Sequence, residues 1–88
     1  MSWTITIDSK AEKEFSKLDN QIQKRITDFL REKISKNPKY YGKPLLGNKK
    51  GFYSYRLGDY RIIAEIIEME LLVLVLAFGH RKQVYKEK

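Results

Sequence analysis

The sequence predicts a small α+β domain in which two helices cover one face of an antiparallel sheet. Three observations predict it. An alternating apolar–polar segment, Trp3-Thr4-Ile5-Thr6-Ile7, opens the chain. Apolar residues then recur at helical spacing as far as Asn37-Pro38. Beyond that point apolar and aromatic residues form strand-length runs separated by short polar or glycine breaks. Strand, two helices and three strands in that order make an α+β arrangement. The 88 residues suffice for one domain, residues 1–88, with one modest core and no repeat or linker.

Each element has a local reason. Trp3 to Ile7 reads as the first strand. Ser9-Lys10-Ala11-Glu12 has the form of a capping box, which starts a helix on whose inner face Ala11, Phe15 and Leu18 fall. Asp19-Asn20 breaks that helix and can cap the next. Ile22, Ile26, Phe29, Leu30 and Ile34 give a second, longer amphipathic helix, closely joined to the first as an antiparallel hairpin. Asn37-Pro38 ends it, because the residue before a proline is pushed out of the helical region. Lys43-Pro44-Leu45-Leu46-Gly47-Asn48 reads as a loop or an edge segment. Phe52 to Leu57, Tyr60 to Ile67 and Leu71 to Phe78 form an antiparallel meander. Gly58-Asp59 turns the first pair, Glu68-Met69-Glu70 breaks the second, and Gly79 ends the last strand.

Composition narrows the function. Hydrophobic residues make up 42% and charged residues 33%, as in a soluble globular protein, and no apolar run is long enough to span a membrane. Met1-Ser2-Trp3-Thr4 has neither a charged lead-in nor an apolar core, so no secretory signal is expected and the cytoplasm is the expected location. Cysteine is absent, which excludes disulfides, thiolate catalysis and cysteine-bound metals. Eighteen Lys and Arg against 11 acids leave a net charge of +7. So basic a domain attracts polyanions: nucleic acid first, with an anionic membrane or an acidic protein as alternatives.

The turn fixes a register. With two residues in the loop, Leu57 faces Tyr60 and Arg56 faces Arg61. Side chains alternate across a strand, so Ser54, Arg56 and Arg61 share one face. Tyr53, Tyr55, Leu57, Tyr60, Ile62 and Ile66 share the other, which is assigned to the core. Two arginines directly opposite one another repel. Such a pair is tolerated when solvent screens it or when an anion sits between the two. On the last strand, the bulky Leu72, Leu74, Leu76 and Phe78 are expected toward the helices, with Val73, Val75 and Ala77 on the opposite face. Continuing that alternation leads to Arg81. Arg56, Arg61 and Arg81 would then converge on one open face, where guanidiniums suit a phosphate. The alternative is three separate surface arginines paired with Asp59, Glu65 or Glu87. His80, the one histidine, stands beside Arg81 and is a candidate proton donor or acceptor. One histidine, no cysteine and no close acidic cluster leave no metal site, and no cofactor is implied. Tyr85 is either a tail aromatic packed on the sheet or a stacking surface for a base. Lys49-Lys50 is a basic pair that could touch a phosphate backbone, and Lys24 and Arg31 mark a helix face that could do the same.

Three segments together resemble the RelE branch of the RelE/ParE toxin superfamily. They are Lys43-Pro44-Leu45, then Gly51-Phe52-Tyr53-Ser54-Tyr55-Arg56-Leu57-Gly58-Asp59-Tyr60-Arg61-Ile62, then Gly79-His80-Arg81-Lys82-Gln83-Val84-Tyr85. The resemblance covers nearly the whole chain. It implies a metal-independent endoribonuclease that cuts messenger RNA on the ribosome through attack by the RNA's own 2′-hydroxyl. It also implies a partly helical, acidic, RelB-like antitoxin as partner in a toxin–antitoxin hetero-oligomer. By position, Arg61 would bind the scissile phosphate and Arg81 would stabilise charge or protonate the leaving oxygen. Tyr85 would stack on or polarise the attacked nucleotide. Arg56 falls where the family often has a basic residue, and His80 where some members have a lysine and others use a histidine near the leaving group. Lys49, Lys50, Ser54 and Lys82, with Lys24 and Arg31, are the expected RNA contacts. Ser54 departs from the pattern, since the best-known members carry a lysine there. The ParE branch, which inhibits DNA gyrase without cutting RNA, and a basic RNA-binding module without catalysis are the alternative functions.

Overall fold

The computed structural model describes residues 2–45 and 51–80. Strand β1 spans Thr4–Ile7, helix α1 Ser9–Ser16 and helix α2 Asn20–Phe29, which continues into a π-helical turn over Leu30–Ile34. Strands β2 (Lys43–Pro44), β3 (Phe52–Leu57), β4 (Tyr60–Ile67) and β5 (Leu72–His80) follow, with a 3-10 turn at Glu68–Glu70. The five strands form one mixed sheet in the order β1-β5-β4-β3-β2. The meander β3-β4-β5 is antiparallel, whereas β1 lies parallel to β5 at one edge. The expected α+β class is therefore observed, and the Lys43-Pro44 segment is a short edge strand.

The helices are built as their apolar spacing predicts, with one change at the start. Asp8, not Ser9, is the N-cap: its carboxylate accepts the Lys10 N–H at 3.1 Å, and Ser9 is already helical. An aspartate satisfies the free first-turn N–H groups and also suits the positive end of the helix dipole. The Gln23 side chain then donates to the Phe15 and Leu18 carbonyls at 3.0 and 3.1 Å, which closes α1 and ties it to α2. Ile22, Ile26, Leu30 and Ile34 repeat every four residues. An α-helix of about 3.6 residues per turn drifts against such a repeat. The wider π turn, marked by the Ser35 N–H bonding to Leu30 O at 2.9 Å, takes up that drift. Ile26 and Ile34 are thereby fully buried and Leu30 nearly so.

The core lies between the helices and the sheet face carrying Ile5, Ile7, Tyr55, Ile62, Ala64, Val73, Val75 and Phe78. Here β5 corrects the expectation. Val73 and Val75 are fully buried toward the helices, and Leu72 and Leu74 lie half-buried on the opposite face. The register explains it, because Val73 and Val75 stand beside Ile5 and Ile7 of β1 and opposite Ile66 and Ala64 of β4. A bulge follows. Ala64 pairs with Val75 but Ile63 pairs with Ala77, so Leu76 is an extra residue and the alternation reverses. Phe78 then reaches the core, as expected.

Two boundaries also differ. Leu71 takes a left-handed φ of +50°, so β5 begins at Leu72. Gly79 does not end the strand; it pairs with Arg61, and His80 with Tyr60. Beyond Val75, β5 has outrun β1. There Glu14 of α1 accepts the Phe78 N–H at 2.9 Å and fastens the helix over the sheet.

Candidate functional site

The β3-β4 hairpin turns at Gly58-Asp59, with Gly58 at φ +62°, the first turn position where a type II′ hairpin favours glycine. Arg56 is directly opposite Arg61, and Leu57 is opposite Tyr60. Ser54, Arg56 and Arg61 share one face, since Arg61 Nη1 donates to Ser54 Oγ at 3.2 Å across the strands. Both helices lie on the other face, against the core. Arg56 is exposed and Arg61 half-buried. One guanidinium is thus held by the serine while its neighbour stands in solvent. The pairing of Arg61 with Gly79 matters here, because a residue without a side chain leaves room for the guanidinium over β5.

Two cations not foreseen from the sequence stand near the hairpin, Lys43 on the arginine face and Arg25 on the helix side with Leu57. Lys43 of β2 is directly opposite Ser54, which sets it on the face of Arg56 and Arg61. Arg25 of α2 reaches the hairpin: a Cβ built on Gly58 would lie 3.6 Å from Arg25 Nη2. The face of the first follows only from the pairing of the two-residue β2 with β3. Only the tertiary packing of α2 finds the second.

The other candidates fall elsewhere. His80 shares its row with Leu57 and Tyr60, on the helix side of the sheet, opposite the Arg56–Arg61 face. Its ring meets that of Tyr60 edge-on, with centroids 5.3 Å apart. Both line a cleft of about 530 Å³ with Glu14, Lys17 and Leu18 of the α1 segment. Lys24 forms an i,i+4 ion pair with Asp28 at 3.3 Å, and shares a shallow groove on the outer helix surface with the exposed Arg31. Lys49, Lys50, Arg81, Lys82 and Tyr85 lie outside the described residues. The structure therefore brings together Ser54, Arg56 and Arg61, adds Lys43, and separates them from His80, Lys24 and Arg31.

Electrostatics favour the arginine face over a larger cleft of about 730 Å³ at the other end of the sheet. That cleft is lined by Glu65, Glu68 and Glu70, with Lys39 paired to Glu68. Three carboxylates repel a phosphate, whereas the guanidiniums attract it and present paired N–H donors to its oxygens. Among the described residues no helix is long and apolar enough to cross a membrane.

The model of a family described as the ParE toxin of type II toxin-antitoxin system matches residues 5–85. The chain is 29% identical over 86 residues to Toxin RelG of Mycobacterium tuberculosis, covering 98% of this chain and 99% of that one. Its fold superposes on a crystal structure of the toxin–antitoxin complex RelBE2 of the same organism with a TM-score of 0.86 at 28% identity, covering 92% of this chain and all of the other. It is also similar to the isolated RelE toxin of E. coli, with a TM-score of 0.76 at 26% identity over 97% of this chain and 93% of that one.

Proposed function

Because the chain belongs to the ParE toxin family of type II toxin–antitoxin systems, we propose that it halts translation by cutting messenger RNA on the ribosome. The observation that carries this reading is the Arg56–Arg61 pair. Two like charges directly opposite one another on a two-strand ladder work against the sheet, and a phosphate between them turns that repulsion into attraction. The curated relatives named RelG and RelE, rather than ParE, point to the same branch.

The chemistry follows from the residue types. The 2′-oxygen of the RNA attacks the neighbouring phosphorus and loses its proton. The bond from phosphorus to the 5′-oxygen breaks, and that oxygen takes up a proton. A 2′,3′-cyclic phosphate and a 5′-hydroxyl result. Negative charge grows on the phosphoryl oxygens during the attack, and fixed guanidiniums stabilise it more than they stabilise the substrate. The need for a 2′-hydroxyl selects RNA over DNA. Arg61, oriented by Ser54, is the phosphate anchor and Arg56 the second donor. Arg81 is assigned to the leaving side and Tyr85 to stacking on the attacked nucleotide. His80 belongs to the proton transfers only if the RNA reaches round the end of β5, since its row faces the helices. The ribosome supplies the alignment of the strand, which is the entropic share of the barrier. Weak cutting of free RNA is expected.

The same reading gives the chain an acidic, RelB-like antitoxin, which folds over a basic domain and forms a hetero-oligomer with it in the cytoplasm. Toxin–antitoxin complexes are among the structures its fold matches. Purified ribosomes, a defined message and the toxin, followed by mapping of 5′ ends, test the proposal. Cuts within the A-site codon are expected, and Arg61→Ala should remove them while the domain stays folded. The family's description also names ParE. Intact message combined with DNA damage on induction would favour gyrase inhibition instead.

A further inference from the structure

A second surface stands at the β2 edge. Tyr40 is 74% exposed and Tyr41 39%. Their rings meet edge-to-face with centroids 4.9 Å apart. Behind them Phe29 lies 6.3 Å from Tyr41 and 6.4 Å from Tyr55, so an aromatic series runs from solvent into the core. Its inner end is fixed. Tyr55 is 1% exposed and donates to the Pro38 carbonyl at 2.7 Å. Gly42 is seated against the Tyr55 ring, since a Cβ there would lie 2.7 Å from Cε1. The loop that presents Tyr40 and Tyr41 is therefore braced from below, and its exposed rings are not required for the core.

The segment that carries these rings is basic, with Glu32 and Glu68 at its borders. Residues 33–45 carry four lysines and no acid. Lys33 Nζ stands 5.7 Å from the centroid of the Tyr41 ring. Lys39 is paired with Glu68. Lys43 follows Tyr41 by two residues, and its register opposite Ser54 places it on the face of Arg56 and Arg61. Lys43 thus joins the aromatic loop to the arginine corner.

We propose that Tyr40 and Tyr41, with Lys33 and Lys43, form a stacking platform for an unpaired stretch of RNA that continues from the arginine face over the β2 edge. Every base has a π-face, so exposed rings flanked by cations hold single strands without reading their sequence. An acidic peptide would use the lysines and leave the rings idle. An apolar partner would use the rings and meet Lys33 and Lys43 beside them. The proposal rests on the reading that this protein works on RNA, but its tyrosines take no part in breaking the bond.

Fluorescence anisotropy of the full 88-residue chain with a labelled single-stranded RNA of about twelve nucleotides, and with the matching duplex, tests it. Tyr40→Ala with Tyr41→Ala should weaken single-strand binding by about ten- to a hundredfold and leave duplex binding unchanged. Tyr40→Ala alone, at the more exposed position, should cost about tenfold and covers the case in which the double variant does not fold. Phenylalanine at both positions should restore the affinity, because the ring and not the hydroxyl stacks. Lys33→Ala and Lys43→Ala should each flatten the salt dependence by about 0.7 in log–log slope. Unchanged single-strand affinity in the folded Tyr40→Ala chain overturns the platform, and so does an equal loss on duplex RNA. A loss of affinity for the acidic antitoxin with RNA binding intact also overturns it and assigns the patch to that partner. Cutting that depends on Arg61 can survive any of these results, so the two proposals fail separately.

Discussion

Replacing Arg56 with glutamine should make the domain more stable and less active. Arg56 and Arg61 are directly opposite on β3 and β4, where Cβ atoms are about 4.5–5.5 Å apart. A facing like-charge pair costs a few tenths to about 1 kcal/mol. Arg56→Gln keeps most of the chain length and removes the repulsion. A gain of that size raises the melting temperature of a domain this small by a few degrees, at about 4–8 °C per kcal/mol. Arg56 is exposed, so salt should shrink the gain. The Debye length falls from about 30 Å at 0.01 M to about 8 Å at 0.15 M ionic strength. Activity should move the other way, since loss of one donor to a developing oxyanion costs about a hundred- to a thousandfold in rate. Thermal unfolding by circular dichroism at two salt concentrations, beside cutting of ribosome-bound message, measures both. A lower melting temperature together with lower activity would make Arg56 a structural residue. Unchanged activity would remove it from the site.

The remaining expectations concern the frame that holds the site. Glu14→Ala removes the acceptor of the Phe78 N–H beyond the end of β1, and should cost about 1.5–3 kcal/mol in urea denaturation, with Glu14→Gln recovering most of it. Tyr55→Phe leaves the Pro38 carbonyl without its donor and should cost about 1–3 kcal/mol. The same change should alter the alkaline limb of stability. Burial, with Tyr53 adding to it, pushes the Tyr55 phenol well above its ordinary value. The unfolded phenol ionises near pH 10 while the folded one stays neutral. The stabilisation is therefore present below about pH 10 and is lost as pH rises further, by up to about 1.4 kcal/mol per unit. The phenylalanine variant should lack this component, and an identical alkaline slope in both proteins would contradict the assignment.

The parts of the fold and site legible in the sequence are those fixed by local chemistry. The Gly58-Asp59 turn determines its own register, so the Arg56–Arg61 pairing and the shared face of Ser54 follow by counting. The four-residue repeat from Ile22 to Ile34 marks the buried helix face, although not the π turn that keeps it in line. Bulk does not say which side of the last strand is covered. Leu72 and Leu74 are larger than Val73 and Val75, yet the valines stand beside Ile5 and Ile7 under the helices. Only the parallel pairing of β1 with β5 decides that, and it is a contact between the two ends of the chain. The bulge at Leu76 is equally silent in the sequence. Ser9 and Glu12 form a familiar pair that hides Asp8 as the cap. The face of His80 follows from its pairing with Tyr60 and Leu57, which its place in the sequence does not show. Lys43 was hidden because a two-residue edge strand has no periodicity to read.

Whether this protein cuts messenger RNA through Arg61 is decided by primer extension on message from induced cells, beside the same experiment with Arg61→Ala. New 5′ ends inside A-site codons are expected with the wild-type chain and none with the folded variant. Undamaged message with the wild-type chain, or the same ends with alanine at position 61, would contradict it.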